Sequence, residues 1–329
     1  MFPWPSSFIA SIPDYSFLMN TNTCPSHYRP TVKSYFSGAG GMDAGLQESG
    51  CEIIQSLEYD PHALDTLKAN FRHTIVSKDI REVRVLSQES SDIVVGTYPC
   101  TKYSTIADIH GTRTGDDLFL HFFRHVAIEQ PECYIVENVP GMLKFPIVTE
   151  AMTKLPGYYV NIFCPLNSSN WLPQDRKRLI LIGTKRKFNI CSPTPKCNRI
   201  LLRDIVEKDV PVRDLPEYFH SRLNGKYRDR PIISDPGNKY ELAPTCVAHY
   251  SKDISTRVVK DKSHPLGVRP WTVREYARLQ GFPDWFVFKG GDAQSYKQIG
   301  NAVAFHVAHW IGENMVKYFN EARTPSHAA

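Results

Sequence analysis

Two apolar runs of the sequence end in residues that can take part in covalent chemistry. Residues 92–98 read as a buried strand that runs into a turn, and they lead directly into Pro99 and Cys100. Residues 134–139 repeat the pattern and carry Glu137 near their end. Because open α/β sheets bind ligands at the carboxyl ends of their strands, we expect the thiol and the carboxyl group to lie close together.

A third apolar run, residues 179–183, follows a basic cluster that contains Arg176 and Arg178. We expect these arginines at the same edge of the sheet as the thiol and the acid. A nucleophile, an acid and an arginine pair suit covalent attack on an electron-poor ring. A free thiol has a pKa of about 8.5, so a positive neighbourhood would also favour its reactive thiolate form.

A glycine cluster marks a ligand site near the start of the chain. Gly38, Gly40 and Gly41 follow a predicted strand and open a helix, where a ligand can approach the backbone closely. The fingerprint of NAD-binding proteins needs a third glycine at position 43, which is Asp43 here. The spacing therefore argues against an NAD-linked dehydrogenase.

Polar residues after the next two strands predict which ligand this site binds. Glu58 ends the second strand, where a carboxylate can bind a ribose diol, and Tyr59 can lie against an adenine. Asp79 and Ile80 end the third unit, where they can accept from an adenine amino group. Together they indicate an adenosine ligand without a pyrophosphate, and S-adenosylmethionine fits this description.

The alternation of strand and helix patterns predicts an α/β fold with a doubly wound, mostly parallel sheet. We assign residues 31–184 to this domain and expect the C-terminal segment 295–329, with a strong helix from near Asn301, to complete it. Prolines and basic residues dominate 185–294, which predicts a smaller, loop-rich domain. Residues 1–30 form an N-terminal arm.

The cysteines and the apolar runs limit the setting of the protein. Its eight cysteines show no regular framework, so we expect reduced thiols, no metal site and a cytoplasmic, intracellular protein. No apolar run approaches the ~20 residues that a membrane-spanning helix needs, so no membrane partner is expected.

Six motifs in a fixed order resemble the DNA (cytosine-5)-methyltransferase family over about residues 31–320. This resemblance implies a Rossmann-like, S-adenosylmethionine-dependent methyltransferase sheet with a smaller target-recognition domain. The motifs are Phe36-Ser37-Gly38-Ala39-Gly40-Gly41, Pro99-Cys100, Glu137-Asn138-Val139, Gln174-x-Arg176-x-Arg178, Arg274-Glu275-x-Ala277-Arg278-Leu279-Gln280-Gly281-Phe282-Pro283 and Gln298-x-Gly300-Asn301-Ala302-Val303.

The resemblance also implies a mechanism and a set of site residues. The Cys100 thiolate would add to C6 of a cytosine, and Glu137 would hold a proton on N3. Arg178 would bind O2, with Arg176 beside it on the substrate or on the nucleophile loop. The first motif, Glu58, Tyr59, Asp79, Ile80 and Pro99 would bind the cofactor, and Asn301 and Val303 would close its pocket. The methyl group would pass to C5 and leave S-adenosylhomocysteine.

The implied substrate is a specific site in double-stranded DNA, from which the cytosine must be flipped. Residues 185–262 hold 17 Lys and Arg against 10 Asp and Glu, whereas the remainder holds 22 against 24. Taken by itself, this excess of positive charge would indicate a solvated surface. Beside a base-modifying site, a surface that faces phosphates is favoured. Residues 243–250 are a candidate recognition loop, and a structural strand is the alternative. We expect a monomer that pairs functionally with a restriction or phage-defence system.

Three departures from the family pattern fall in the nucleophile motif: Thr97, Thr101 and Tyr103. They leave the thiol intact but affect how the loop would hold the nucleotide. Two alternatives therefore stay open. One is an RNA cytosine-5 methyltransferase acting on tRNA, although the Cys-Phe-Thr tripeptide of that branch is absent. The other is a catalytically silent homologue that binds DNA.

Overall fold

The computed structural model describes residues 28–85, 89–99, 118–194, 199–226, 228–229 and 231–323. Most of the predicted N-terminal arm lies outside these ranges. At its end, the Tyr28 hydroxyl donates to Asp92 at 2.7 Å, and the Tyr28 ring packs against Phe319. The residues that lead into the first strand are thus fastened to the last helix.

One central sheet contains seven strands in the order β3-β2-β1-β4-β5-β8-β6. These are β1 (Thr31–Tyr35), β2 (Glu52–Glu58), β3 (Thr74–Ser77), β4 (Ile93–Gly96), β5 (Cys133–Asn138), β6 (Tyr159–Asn167) and β8 (Lys177–Thr184). All neighbouring strands pair in parallel except β8, which runs antiparallel to β5 and to β6. The predicted α/β fold with a mostly parallel sheet is confirmed. Because the strand order reverses between β1 and β4, the ends of these strands border the crevice where such sheets bind ligands.

The reversed direction of β8 decides where the arginines lie. In a parallel strand, the residues that precede the strand would lie at the edge opposite to its carboxyl end. Since β8 is antiparallel, its first residues lie beside the end of β5, and Leu179 pairs with Asn138. Arg178 therefore reaches the edge that carries Glu137.

Nine α-helices occur in the described residues. They are α1 (Gly41–Glu48), α2 (Pro61–Asn70), α3 (Leu118–Glu129), α4 (Pro146–Thr153), α5 (Leu202–Ile205), α6 (Glu217–Asn224), α7 (Val273–Leu279), α8 (Asp292–Asn301) and α9 (Phe305–Glu321). The start of α2 follows its sequence signals, because the Asp60 side chain accepts from the amides of His62 and Ala63 and Pro61 is the first helical residue. Within the described ranges, no helix is both long and apolar enough to cross a membrane.

The helix predicted from near Asn301 begins at Phe305, and a separate helix, α8, ends at Asn301. Side chains take the carbonyl oxygens at this junction, since Arg176 and Gln280 both donate to Ala302. These carbonyls are then not available to continue the helical ladder.

The second half of the chain contains more regular structure than the predicted loops. Strands β9 (Ile232–Ser234), β11 (Arg257–Lys260) and β12 (Val268–Pro270) form a small mixed sheet. Strand β10 (Ala243–Pro244) pairs with β7 (Gln174–Asp175), which lies just before β8. This pairing joins the two halves of the chain, and their division into domains at residue 185 stays a prediction.

A buried ionic cluster anchors the helix that follows the nucleophile motif. The Lys33 ammonium lies 3.1 Å from the Glu129 carboxylate, to which His125 and the Tyr35 hydroxyl also bind. Burial opposes ionisation of Glu129, but the hydrogen bond from His125 and the Lys33 charge hold the pKa of that carboxyl below its usual value. The end of α3 is thereby fixed to β1.

Close packing of α1 against α9 completes the face of the sheet opposite to α3. A Cβ added at Gly45 would lie 2.5 Å from both the Ala308 Cβ and the Phe305 carbonyl oxygen. At Gly312 the Cβ would overlap the side chain of Ser49. These two helices can approach this closely because both contact positions lack a side chain.

Replacing Gly45 with alanine should destabilise the protein by about 1–3 kcal/mol, because the added methyl group forces α1 and α9 apart. Urea unfolding followed by circular dichroism measures this loss. The matched control is Gly291→Ser, since nothing lies within 4 Å of a Cβ there and serine is favoured as a helix N-cap. Equal stability of Gly45→Ala and the wild type would show that the interface can relax.

Candidate active site

The glycine loop between β1 and α1 combines an open position with a crowded one. Gly38 has a φ of +56°, and no described atom lies within 4 Å of where its Cβ would be. A Cβ at Gly41 would instead lie 2.5 Å from the carbonyl oxygen of Val303. Gly38 thus leaves space for a ligand above the loop, and Gly41 lets the segment before α9 pack beneath it.

The carboxylate of Glu58 holds this loop from the end of the neighbouring strand. Its Oε2 accepts from the Gly38 amide at 2.8 Å, and its Oε1 accepts from the amides of Tyr59 and Asp60. Oε2 therefore has one backbone partner and retains capacity for a hydroxyl donor. This geometry fits the predicted contact with a ribose diol and adds a structural role that the sequence did not reveal.

The other predicted adenosine contacts occupy different settings. Tyr59 is 65% exposed, so its ring is accessible to a ligand. Asp79 is held by the backbone amide and the guanidinium of Arg81, and this hydrogen-bonded arginine lowers the pKa of the carboxyl. The Ile80 side chain is buried in the hydrophobic core. A ligand amino group would therefore have to share Asp79 with Arg81.

The end of β4 is tied to the end of β5 just before the predicted nucleophile. Asn138 donates from Nδ2 to the carbonyl oxygen of Tyr98 at 3.1 Å, and this contact is buried. Thr97, one of the departures from the family pattern, donates its hydroxyl to the Phe36 carbonyl at 2.8 Å. Its side chain thus links this turn to the glycine loop.

The predicted nucleophile Cys100, together with Thr101 and Tyr103, lies outside the described residues. Pro99 is the last described residue before it and is exposed. The chain therefore enters the nucleophile motif from the carboxyl edge of the sheet.

The predicted acid and one predicted arginine are in contact at this edge. The Arg178 Nε lies 3.1 Å from the Glu137 Oε1, and their side chains are 18% and 10% exposed. A partly buried pair of this kind is screened less by water than a surface ion pair. One group donates hydrogen bonds and the other accepts them, so together they can read the edge of a heterocycle.

Arg176 does not contact Glu137 in the way Arg178 does, and the expectation that it lies on the substrate or on the nucleophile loop stays a prediction, since that loop lies outside the described residues. Its side chain is buried, and its guanidinium donates to the carbonyl oxygens of Cys246, Gly300 and Ala302. Burial, reinforced by the neighbouring charge of Arg178, lowers the pKa of Arg176 to about 9. Its contacts are those of a positioning residue between separate segments.

Residues 243–250 contain a strand only at Ala243–Pro244, and their role as a recognition loop stays a prediction. Cys246 and Tyr250 are buried, and the Tyr250 ring stacks on Tyr276 at a centroid distance of 4.8 Å. The Thr245 hydroxyl donates to the Asp175 carbonyl oxygen at 2.6 Å. Among these side chains, His249 is the exposed one.

The two residues predicted to close the cofactor pocket lie at and just after the end of α8, and this role stays a prediction. Asn301 is exposed at the end of α8, and the Val303 backbone lies against Gly41. Sequence reasoning assigned no individual role to Tyr276 or Gln280, whose side chains bind backbone groups in the interior. The signal that could have found them is their place in one short motif, with Tyr276 inside α7 and Gln280 directly after it.

Comparison with known proteins identifies what the chain is similar to. The family model described as C-5 cytosine-specific DNA methylase matches residues 31–317. The Type II methyltransferase M.Sau96I of Staphylococcus aureus is 30% identical, over 87% of this chain and 75% of its own length. M.NgoPII of Neisseria gonorrhoeae is 29% identical, over 90% of this chain and 98% of its own length.

Solved structures share the fold. The Entamoeba histolytica methyltransferase EhMeth superposes with a TM-score of 0.76 at 18% identity, over 89% of this chain and 99% of its own. A putative DNA modification methyltransferase from an Escherichia coli prophage gives a TM-score of 0.67 at 24% identity, over 88% and 99% of the two chains.

Replacing Glu58 with alanine should lower the free energy of unfolding by about 1–3 kcal/mol even without ligand, because three partly buried amide donors lose their acceptor. Urea unfolding of the ligand-free protein measures this effect. Glu52→Ala, an exposed position of the same strand, is the control and should change stability little. If both variants behave alike, the Glu58 clamp does not support the loop.

Proposed function

This chain belongs to the C-5 cytosine-specific DNA methylase family, and we propose that Cys100, Glu137 and Arg178 act together on a cytosine flipped out of double-stranded DNA. As a DNA (cytosine-5-)-methyltransferase, the protein transfers a methyl group to C5 of cytosine. The observation that carries the assignment of residues is the Glu137–Arg178 contact at the sheet edge where β4 leads into Cys100.

The described residues fit the cofactor of this S-adenosylmethionine-dependent family. Gly38 leaves open space above the loop, and Glu58 has an acceptor oxygen for a ribose hydroxyl beside it. Asn301, which the last motif assigns to the same site, is exposed at the end of α8. When bound, S-adenosylmethionine supplies the electrophilic methyl group and becomes S-adenosylhomocysteine.

Nucleophilic activation of the ring comes from Cys100. Addition of its thiolate to C6 converts the electron-poor ring into an enamine, which makes C5 nucleophilic. After methylation, water takes the C5 proton, the thiolate is eliminated from C6 and the N3 proton returns to Glu137, which restores the aromatic ring. The sulfur therefore leaves unchanged, and the reaction needs no oxidant or reductant.

Glu137 and Arg178 hold the base during this attack. Arg178 donates to O2, while a protonated Glu137 donates to N3 and accepts from the exocyclic amino group. In the structure these two side chains bind each other. A cytosine edge offers acceptors at O2 and N3 and a donor at N4, so it can replace the contacts that the pair gives up.

Double-stranded DNA binds along the basic segment 185–262, and its phosphates provide most of the affinity. The relatives named as Type II methyltransferases support a short target site and a partnership with a restriction system. The two solved structures are 18% and 24% identical to this chain, so they support the shared fold and not a choice between DNA and tRNA as substrate. The monomeric state stays a prediction.

The nucleophile is tested by Cys100→Ser, which should abolish methyl transfer to duplex DNA while binding of S-adenosylmethionine persists. Duplexes with 5-fluorocytosine at the mapped target should trap the wild type covalently, because fluorine cannot leave as a proton. Cys191→Ser removes an exposed thiol and should keep full activity. An adduct at a different cysteine would exclude Cys100, and absence of any methylated cytosine would reject the function.

Arg178→Ala should lower kcat for methyl transfer by about 10²–10³, since one donor to the charge that develops on the base is lost. Single-turnover methylation at saturating DNA measures the chemical step. The control is Lys177→Ala, which removes a neighbouring, more exposed cation without touching Glu137. Similar rate losses in both variants would mean that the effect comes from DNA binding by charge.

A further inference from the structure

The glycine loop begins with a strained residue. Phe36, the first residue after β1, has a φ of +60°, which lies in the left-handed region that a bulky side chain rarely adopts. Gly38 and Gly40 have φ values of +56° and +87°, which glycine adopts freely. Of these three residues only Phe36 carries a side chain, and strain of this kind persists only where the surrounding structure fixes the backbone.

The peptide unit between Phe36 and Ser37 is held from both neighbouring strands. On the side of β2, the Ser37 amide donates to the Leu57 carbonyl oxygen at 3.2 Å. On the side of β4, the Phe36 carbonyl oxygen accepts from the Thr97 hydroxyl at 2.8 Å. Because β1 lies between β2 and β4 in the sheet, these two bonds fix the strained peptide unit from opposite directions.

Thr97 binds two consecutive carbonyl groups where the chain leaves β1. Its amide donates to the Tyr35 carbonyl oxygen at 3.3 Å and so continues the pairing of β1 with β4 by one residue. Its hydroxyl takes the next carbonyl, that of Phe36. Any residue except proline can make the first bond, whereas the second needs a short side chain with a donor. The second bond therefore depends on the side chain of Thr97, one of the three departures from the family pattern.

The residue after Thr97 holds the ring of Phe36. Tyr98 is buried, and its ring meets the Phe36 ring edge-on at a centroid distance of 6.2 Å. The Tyr98 hydroxyl donates to the Met142 sulfur at 3.2 Å, which fixes this tyrosine from the other end. The Phe36 side chain is only partly buried, so part of its surface is open to a ligand. Residues 97 and 98 thus fix both the backbone and the ring of Phe36.

Loss of the Thr97 hydroxyl would leave the strain at Phe36 without one of its two supports. The Phe36 carbonyl would lose its side-chain partner, and the backbone could relax toward an ordinary negative φ. A change of φ at Phe36 turns the ring away from Tyr98 and alters the direction in which the chain enters Gly38. The loop would then adopt its present conformation for only a fraction of the time.

We propose that Thr97 is a positioning residue for the cofactor, because its hydroxyl keeps the strained backbone of Phe36, and with it the ring, in the conformation that binds S-adenosylmethionine. The inference rests on the proposed function, which places this cofactor at the glycine loop. A loop that is in its binding conformation for only part of the time binds more weakly by that fraction. Thr97 therefore contributes to cofactor affinity without touching the cofactor.

Calorimetric binding of S-adenosylhomocysteine to the full chain tests this role and needs no DNA. Thr97→Val keeps the shape of the side chain and removes the hydroxyl, so it should weaken binding about three- to tenfold, the usual contribution of one hydrogen bond. Thr97→Ser restores a hydroxyl and should recover most of the affinity. Wild-type affinity in Thr97→Val, or no recovery in Thr97→Ser, would overturn the proposal.

Thr184→Val is the matched control. The Thr184 hydroxyl also donates to a backbone carbonyl at 2.8 Å, that of Arg186. Thr184 pairs with Cys133 at the start of β5, so it lies at the edge of the sheet opposite to the glycine loop. Its substitution removes the same kind of bond and should keep the wild-type affinity. Equal weakening in the two valine variants would mean a general effect of lost stability and would reject the role of Thr97.

A second substitution tests whether the hydroxyl acts through the strained backbone. Glycine adopts a positive φ without strain, so Phe36→Gly needs less support from Thr97. Phe36→Gly should itself weaken binding because the ring is lost. Adding Thr97→Val to it should then change the affinity by about twofold or less, since the two effects are coupled. A further loss as large as in the wild-type background would show that Thr97 does not act through Phe36.

Kinetics separate positioning from partial unfolding. In methylation of duplex DNA, Thr97→Val should raise the KM for S-adenosylmethionine and keep kcat, because saturating cofactor restores the loop. A lower kcat at an unchanged KM would indicate lost folded protein and contradict the proposal. If the wild type methylates DNA but Thr97→Val binds S-adenosylhomocysteine normally, the inference fails alone. A wild type without methyl transfer removes the proposed function.

Discussion

The guanidinium of Arg176 binds carbonyl groups that lie 70 and 126 residues further along the chain. These bonds, with those of Gln174 and Gln280, hold the second half of the protein against the sheet. Without these bonds the carbonyl groups would need water as their partner, and the protein interior excludes water. Arg178 lies two residues after Arg176, so the residues that lead into β8 both hold the two halves of the chain together and place Arg178 beside Glu137.

The direction of one strand produces the catalytic edge. A fully parallel sheet would place the start of β8 far from the end of β5, and Arg178 could not reach Glu137. With β8 reversed, the arginine and the acid meet at 3.1 Å, beside the turn that Asn138 ties to β4. The cofactor loop is built on the same principle of strand ends, since Glu58 at the end of β2 holds the Gly38 amide.

Much of this arrangement could be predicted from local pattern. Apolar runs bounded by glycine and proline located the strands, and Asp60-Pro61 located the start of α2, because these signals depend on neighbouring residues alone. The break between α8 and α9 could not be predicted in this way. Its carbonyls are taken by Arg176 and Gln280, which are remote in sequence. The contacts of residues 243–250 could not be predicted for a similar reason, since their partners come from β7 and α7.

The sequence by itself determined the fold class, the family and the chemical types of the site residues, because motifs of consecutive residues encode these properties. Only the tertiary structure decided the roles within the arginine pair. Arg176 and Arg178 have the same chemistry and lie two positions apart, so no local rule separates them. Arg176 is buried against three carbonyls, whereas Arg178 lies partly exposed beside Glu137, where we propose that it binds the base. That difference arises from segments that meet only when the chain is folded.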